Sequence, residues 1–317
     1  MVITIRKLLA WMFLVVLCGG AGAVRADDRN APALHVGLIV SDLRNPFFMR
    51  IARTVESSLA AAGSPRPPRL TVVSSGFDNT RQAEQFEALV RQRVNLIIVT
   101  PIDPARLGAQ VAAAHDAGIK VVALDAAARG ADLIITTNNF LAGQMACEHL
   151  GRELKGAGEI AIIDGPSNSA VVERMLGCRD ALAGFPGLRL VSEALDGGAS
   201  KEGGLEQMTR LLARFPRLAG VFTINDPTAL GAELAAQTVG RNNIVITAVD
   251  GSPEAVLRLR DPRSLIAATA AQAPAQMARR AVAQGLAMVR GNAPADSLVQ
   301  LTPVLVTREN VGGYQGW

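Results

Sequence analysis

From residue 34 onward the chain alternates short apolar runs with helical periodicities. That alternation restricts the fold more than any other feature of the sequence. Leu34–Val40, Arg69–Ser74, Leu96–Thr100, Lys120–Leu124 and Leu133–Thr136 read as strands, as do Glu159–Ile163, Leu188–Ala194, Ala219–Ile224 and Ile244–Val249. Helical patterns over Phe47–Ala62, Arg81–Gln92, Pro104–Ala117 and Leu141–Lys155 separate them. Further helices are expected to begin near Ala170, Lys201, Pro227 and Pro253. Strand, helix, strand at this spacing predicts right-handed βαβ units and parallel sheets covered on both faces. Aromatic residues make up only 4% of the chain, so Ala, Val, Leu and Ile must fill the core, as buried parallel strands require.

The two halves echo each other. Residues 103–114 read DPARLGAQVAAA and residues 226–237 read DPTALGAELAAQ. Each segment follows an apolar strand and precedes one ending in aspartate, VVALD at Asp125 and ITAVD at Asp250. The matched context predicts a duplication: two similar α/β lobes, each with polar residues at the carboxyl ends of its strands. Open parallel sheets bind ligands at that edge.

The start of the chain is set apart from the fold. Arg6 and Lys7 precede the apolar run Leu8–Leu17, and small residues then lead to Val24-Arg25-Ala26. This is the pattern of a secretory signal peptide over residues 1–26, with cleavage expected after Ala26 and Ala23 as the second choice. A retained membrane anchor is disfavoured, because a span needs about 20 apolar residues and this stretch is short and rich in Gly and Ala. A lipoprotein at Cys18 is disfavoured because Leu17 stands where a small residue is expected. Removing Arg6, Lys7 and Arg25 leaves 29 basic residues against 28 acidic ones. With no basic stripe and no interleaved aromatics, nucleic acid is not an expected partner.

Two cysteines, Cys147 and Cys178, lie beyond the leader. An oxidising compartment permits a disulfide between them, and that is the favoured reading; two small buried apolar side chains are the alternative. No CxxC pair or Cys/His cluster suggests a metal, and no cofactor is expected. His35, His115 and His149 read as structural or exposed, and no hydrolase elbow or phosphate-loop lysine motif occurs. Gly156-Ala-Gly158-Glu-Ile-Ala161 matches a loose dinucleotide fingerprint but precedes a strand instead of following one.

Four places at the strand ends could carry chemistry. Asn45-Pro46-Phe47-Phe48 follows the first strand and opens the first helix, where Asn and Pro suit a helix start. Ile51, Val55 and Leu59 already supply that helix's core face, so one of the adjacent rings Phe47 and Phe48 is expected to look outward over the strand ends. Asp125 and Asp250 read either as turn residues or as carboxylates accepting hydrogen bonds from adjacent hydroxyls. At the third strand end, Asn225 and Asp226 divide two tasks. Asp226 is expected to cap the helix beginning at Pro227, which leaves Asn225 for a ligand.

Taken in order, VGLIVSDLRNPFF, LIIVTPIDP, VVALD, TTNN, ERMLGC, VFTINDPTALGA, ITAVDGSPEAV and AATAAQAP carry a resemblance. The chain resembles periplasmic sugar-binding proteins of the ribose-binding type, related to the sensor domains of LacI-type repressors, over essentially all of residues 34–310. The resemblance implies an N-terminal lobe of residues 27–137 plus 273–301 and a C-terminal lobe of 138–272 plus 302–317. Three crossovers near Thr137, Gln272 and Leu301 would join them. Asn45, Asp125, Arg174, Asn225, Asp250 and Gln272 would bond hydroxyls, Phe47 and Phe48 would wall the ring, and Thr100 and Asn139 would make lesser contacts. Arg174 owes its place mainly to the resemblance; by itself it reads as a surface helix arginine.

Three departures separate the chain from ribose binders. Ala126 stands where arginine is usual, Gly197-Gly198 where an aromatic is found, and Thr100 where asparagine is common. A monosaccharide other than ribose, or a polyol, is the implied ligand. The implied role is the solute-binding subunit of an ABC importer, monomeric, periplasmic, non-enzymatic and docking on a membrane permease. A ligand-presenting subunit for a chemoreceptor or sensor kinase is the alternative, and an exported sugar-active enzyme a more distant one. A repressor is disfavoured, because a leader occupies the place of a DNA-binding headpiece.

Overall fold

The computed structural model describes residues 33–62 and 66–317. The expected leader, its cleavage sites and Cys18 lie outside the described residues, and residues 33–317 form a compact unit of their own. The first half runs β1 (His35–Val40), α1 (Pro46–Ala60), β2 (Arg69–Ser74), α2 (Asn79–Arg91), β3 (Leu96–Val99), α3 (Gly108–Asp116), β4 (Lys120–Asp125) and β5 (Leu133–Thr137). The second half runs α4 (Asn139–Glu153), β6 (Ala157–Asp164), α5 (Ser169–Ala183), β7 (Gly187–Asp196), α6 (Lys201–Arg214), β8 (Leu218–Thr223), α7 (Asp226–Thr238), β9 (Val245–Asp250), α8 (Pro253–Arg260) and β10 (Ile266–Ala271). Then come α9 (Pro274–Val289), β11 (Leu298–Leu301), β12 (Val304–Thr307) and a 3-10 turn at Val311–Gly313.

The strands form two six-stranded sheets, ordered β11-β5-β4-β3-β1-β2 and β12-β10-β9-β8-β6-β7. The two orders correspond strand for strand, so the molecule is an α/β protein of two similar lobes. All pairings are parallel except β10 with β12. The chain passes between the sheets three times: after β5, after β10 and between β11 and β12. The central strands are covered on both faces, which is why Leu96–Val99 is apolar at every position and wholly buried. On α1, Phe47, Ile51, Val55 and Leu59 recur one turn apart and sink into the first lobe's core with Met277 and Ala281 of α9.

The two echoed segments fold differently at their starts. The expected helix from Pro104 begins only at Gly108. The Asp103 carboxylate accepts from the Ala105 N–H in a local turn, and no side chain caps the helix at Leu107. In the second copy, Asn225 caps the helix directly and α7 runs from Asp226. Cys147 and Cys178 form a disulfide between α4 and α5, with Cα atoms 5.0 Å apart.

Candidate functional site

Asp125 and Asp250 end the corresponding strands β4 and β9. Both leave the strand with positive φ, +73° and +140°, unusual for side-chain-bearing residues. This backbone turn places both carboxylates beside a small chamber between the lobes. Asn45, Phe47, Phe48 and Phe77 line it from the first lobe with Asp125. Asn168, Ala170, Val171, Arg174, Ala199, Ile224, Asn225 and Asp250 line it from the second, with Gln272 at a crossover. The chamber is about 30 Å³ and opens towards a wider outer cleft of about 720 Å³, which shares Asn45, Phe77, Ala199 and Asp250 with it. The outer cleft is larger and carries exposed charges such as Arg44, Lys201 and Glu202, but the buried polar groups Asp125, Arg174, Asn225 and Gln272 converge on the inner chamber, so the chamber is the candidate site.

The polar groups are held in a network with one deliberate gap. Gln272 donates through Nε2 to Asp250 Oδ1 at 2.8 Å, and its Oε1 accepts from the Thr137 hydroxyl at 2.8 Å. Arg174, 5% exposed, donates through Nε to Asn139 Oδ1 and through Nη1 to the Ile224 carbonyl, both at 2.8 Å. Its guanidinium lies 3.9 Å from Asp250. These bonds use two of its five N–H groups. Asp125 Oδ1 is buried with no hydrogen-bond partner. Burial without a partner pushes the Asp125 carboxyl up to about 7, against the opposing pull of Arg174. Burial also raises Asp250 and Asp226, and the nearness of Asp250 raises Asp226 further.

Several expected roles change in the structure. Asn225 is the helix cap: its Oδ1 accepts from the Thr228 N–H at 3.1 Å and the Thr228 hydroxyl at 2.7 Å. Asp226 is not the cap, because its carboxylate turns inward to accept from the Ser252 N–H at 2.7 Å and the Thr269 hydroxyl at 2.6 Å. A residue at the helix's first turn cannot also be the flanking cap, whose backbone is extended. Asn225 still lines the chamber. Asn45 likewise caps α1 through Oδ1, which leaves its amide nitrogen for the chamber.

Phe47 and Phe48 are both buried, contrary to the expectation that one faces outward. They meet edge to face at 5.4 Å, Phe77 lies 6.0 Å from Phe48, and Trp317 lies 5.7 Å from Phe47. Aromatic neighbours from distant parts of the chain cover both rings, so each packs on the core and walls the chamber.

Thr100 and Asn139 do not line the chamber. Thr100 locks the ends of β1 and β3, accepting from the Ser41 N–H at 2.7 Å while its carbonyl takes Gln82 Nε2 at 3.0 Å. Asn139 spends its amide nitrogen on Thr136 Oγ1 and the Thr137 carbonyl, and its oxygen holds Arg174. Arg174 is not a surface residue: its side chain runs inward to Asn139 on α4 and the Ile224 carbonyl beyond β8, and lines the chamber.

Phe77, Asn168, Ala199, Ile224 and Trp317 escaped sequence reasoning. Phe77 and Asn168 sit just past the ends of β2 and β6, the sheet edge already singled out, and that position was a usable signal. The missing aromatic near residue 197 has a steric cause. A Cβ on Gly197 would come 2.9 Å from Ile163 and 3.1 Å from Thr228, and one on Gly203 would strike the Gly197 carbonyl at 1.9 Å. Phe77 supplies a third ring to the chamber from the other lobe.

The family model of the periplasmic binding protein domain matches residues 36–293. The ribose import binding protein of Bacillus subtilis is 28% identical over 269 residues, covering 83% of this chain and 85% of its own. The xylitol-binding protein of Mycolicibacterium smegmatis is 29% identical over 236 residues, covering 73% of this chain and 65% of its own. An ABC transporter solute binding protein from Mycobacterium smegmatis, solved with bound glycerol, superposes with a TM-score of 0.84 at 26% identity, covering 90% of this chain and 98% of that one.

Proposed function

The chain belongs to the periplasmic binding protein domain family, and from that premise we propose that it is the solute-binding subunit of an ABC importer for a neutral monosaccharide or polyol. The buried, unpartnered Oδ1 of Asp125 carries this reading. A buried carboxylate oxygen without a donor is costly, and a ligand hydroxyl removes that cost. Asp125 and Asp250 face the chamber from opposite lobes, suiting donors at two points of a polyhydroxylated ring or chain. The guanidinium that lines the chamber, Arg174, already lies 3.9 Å from Asp250, which disfavours an anionic solute. Ribose, xylitol and glycerol, bound by the relatives named above, share adjacent hydroxyls and lack charge.

Residues 27–137 with 273–301 would form one rigid body and residues 138–272 with 302–317 the other, hinged near Thr137, Gln272 and Leu301. Ligand bonds from both bodies stabilise the closed arrangement by differential binding. The closed faces then dock on a membrane permease, with the protein exported by residues 1–26 and monomeric in the periplasm. No covalent step is required of any residue.

A thermal-shift screen of residues 27–317 against pentoses, hexoses, furanose sugars and polyols tests the reading, since native-state binding raises Tm by mass action. Asp125→Ala and Asp250→Ala should each lose at least tenfold in calorimetric affinity, about 1.4 kcal/mol or more. Failure of the whole panel to bind, or full affinity in both variants, would refute it.

A further inference from the structure

Trp317 lines the outer cleft and touches Phe47, a wall of the chamber. Beyond β12 the chain packs on the second lobe, where Val311 and Tyr314 join its core. The Tyr314 hydroxyl donates to the Gly251 carbonyl at 3.1 Å, and Arg260 holds the Tyr314 carbonyl at 3.1 Å. Gly316, at φ +81°, lies so close to Pro253 that an added Cβ would come within 3.2 Å of it. This turn carries Trp317 across the cleft. Its ring meets Phe47 edge to face at 5.7 Å and packs against the first lobe's core. Its indole N–H donates at 2.6 Å to the carbonyl of Asp250, which also accepts from the Gln272 N–H at 2.8 Å.

We propose that Trp317 is a positioning residue and an interlobe latch: anchored on the second lobe, it grips the first through Phe47 and braces the strained Asp250 backbone. The inference rests on the ligand-binding reading for its effect on affinity, but not for its effect on shape. Asp250 needs such a brace, because its φ of +140° is one that residues with side chains rarely adopt. The ring edge on Phe47 is the contact that crosses between the lobes, since the Trp317–Asp250 hydrogen bond lies within the second, and one ring edge is too weak to prevent opening, so the latch biases the lobes towards closure without locking them. Trp317 also lines the outer cleft.

The test compares the chain from residue 27 with Trp317→Ala and Trp317→Phe. The only other tryptophan, Trp11, lies in the leader, so the fluorescence of this chain reports Trp317 alone. Small-angle scattering without ligand should show a larger radius of gyration for Trp317→Ala than for the parent, with unchanged far-UV circular dichroism. Affinity for whichever sugar the screen identifies should fall at least fivefold, with faster dissociation. Trp317→Phe, which keeps a ring on Phe47 but loses the N–H, should recover part of both effects. Parent fluorescence should shift when that sugar is added. Unchanged scattering, an affinity within twofold of the parent, or calorimetric binding with silent fluorescence would each overturn the latch. If no sugar in the panel binds, the functional reading fails, and scattering alone decides the latch.

Discussion

Asp125 shows how much chemistry one side chain can hold when its surroundings withdraw. Burial raises its carboxyl from an ordinary value to about 7, so near neutral pH the folded, empty protein holds a proton that the unfolded chain has released. An acid whose folded pKa lies above its unfolded one contributes stability that is fully present below the unfolded value, near pH 4, and lost as pH rises through about 7. The melting temperature of the empty protein should therefore fall between those limits, and Asp125→Asn should flatten the slope. Ligand hydroxyls donating to the ionised carboxylate pull its pKa back down. Binding near pH 7 should therefore release protons, measured as a buffer-dependent calorimetric enthalpy, and affinity should rise with pH. No proton release in the parent would count against Asp125 as the acceptor. The strand-end aspartates were legible from VVALD and ITAVD. The division of labour between Asn225 and Asp226 was not, because either side chain can cap a helix. The choice came from Ser252, the cap of α8 just past β9, and Thr269 on β10, donors that other elements bring to Asp226.

Among the elements, α4 and α5 place the guanidinium that lines the chamber. A Cβ on Gly143 would lie 2.0 Å from the Arg174 carbonyl, and one on Gly177 would lie 1.9 Å from the Phe140 carbonyl. The two helices therefore touch backbone to backbone, and the Cys147–Cys178 bond joins them within the same contact. Across that contact Arg174 reaches Asn139, and its other end is held by the Ile224 carbonyl. Gly177→Ala should separate the helices and weaken both folding and ligand affinity, read by thermal melting and calorimetry. Replacing both cysteines by serine removes a cross-link between residues 31 apart. It should lower stability by about 3–4 kcal/mol in denaturant titrations, on the chain-entropy account of loop closure. A loss well under 1 kcal/mol would show that the glycine contact holds the pair unaided.

Across the whole molecule, the lobes meet through few direct bonds. The Ala127 N–H donates to Ser169 Oγ at 2.8 Å, linking the loop after β4 to the start of α5. Gln272, at a crossover, ties Thr137 at the end of β5 to Asp250 at the end of β9. Interfaces this sparse favour motion between bodies, which suits a cleft that must admit and release solute. Saturating ligand should reduce the radius of gyration in solution scattering, and Gln272→Ala should diminish that change by loosening the bond between crossover and site. An unchanged radius on binding would rule out lobe closure.

The order of elements as far as α8, the duplication into two similar lobes and the sheet edge that holds the site were written in local pattern, whereas α9, β11 and β12 were not read from it. Parallel strands buried on both faces must be continuously apolar, and polar residues then stand out at their ends. The alanine-rich strand Ile266–Ala271 lacked that signature, since small residues suit helices as well. It became a strand because β9 and β12 offer backbone partners on either side. The paired rings of Phe47 and Phe48 pointed to the site, yet their burial depended on Phe77 and Trp317, distant in the chain. The sequence by itself determined what could form locally and which edge could bind. Only the tertiary structure decided which donors remain unspent at that edge, because a hydrogen-bonding group is free for a ligand only when no other part of the fold has reached it first.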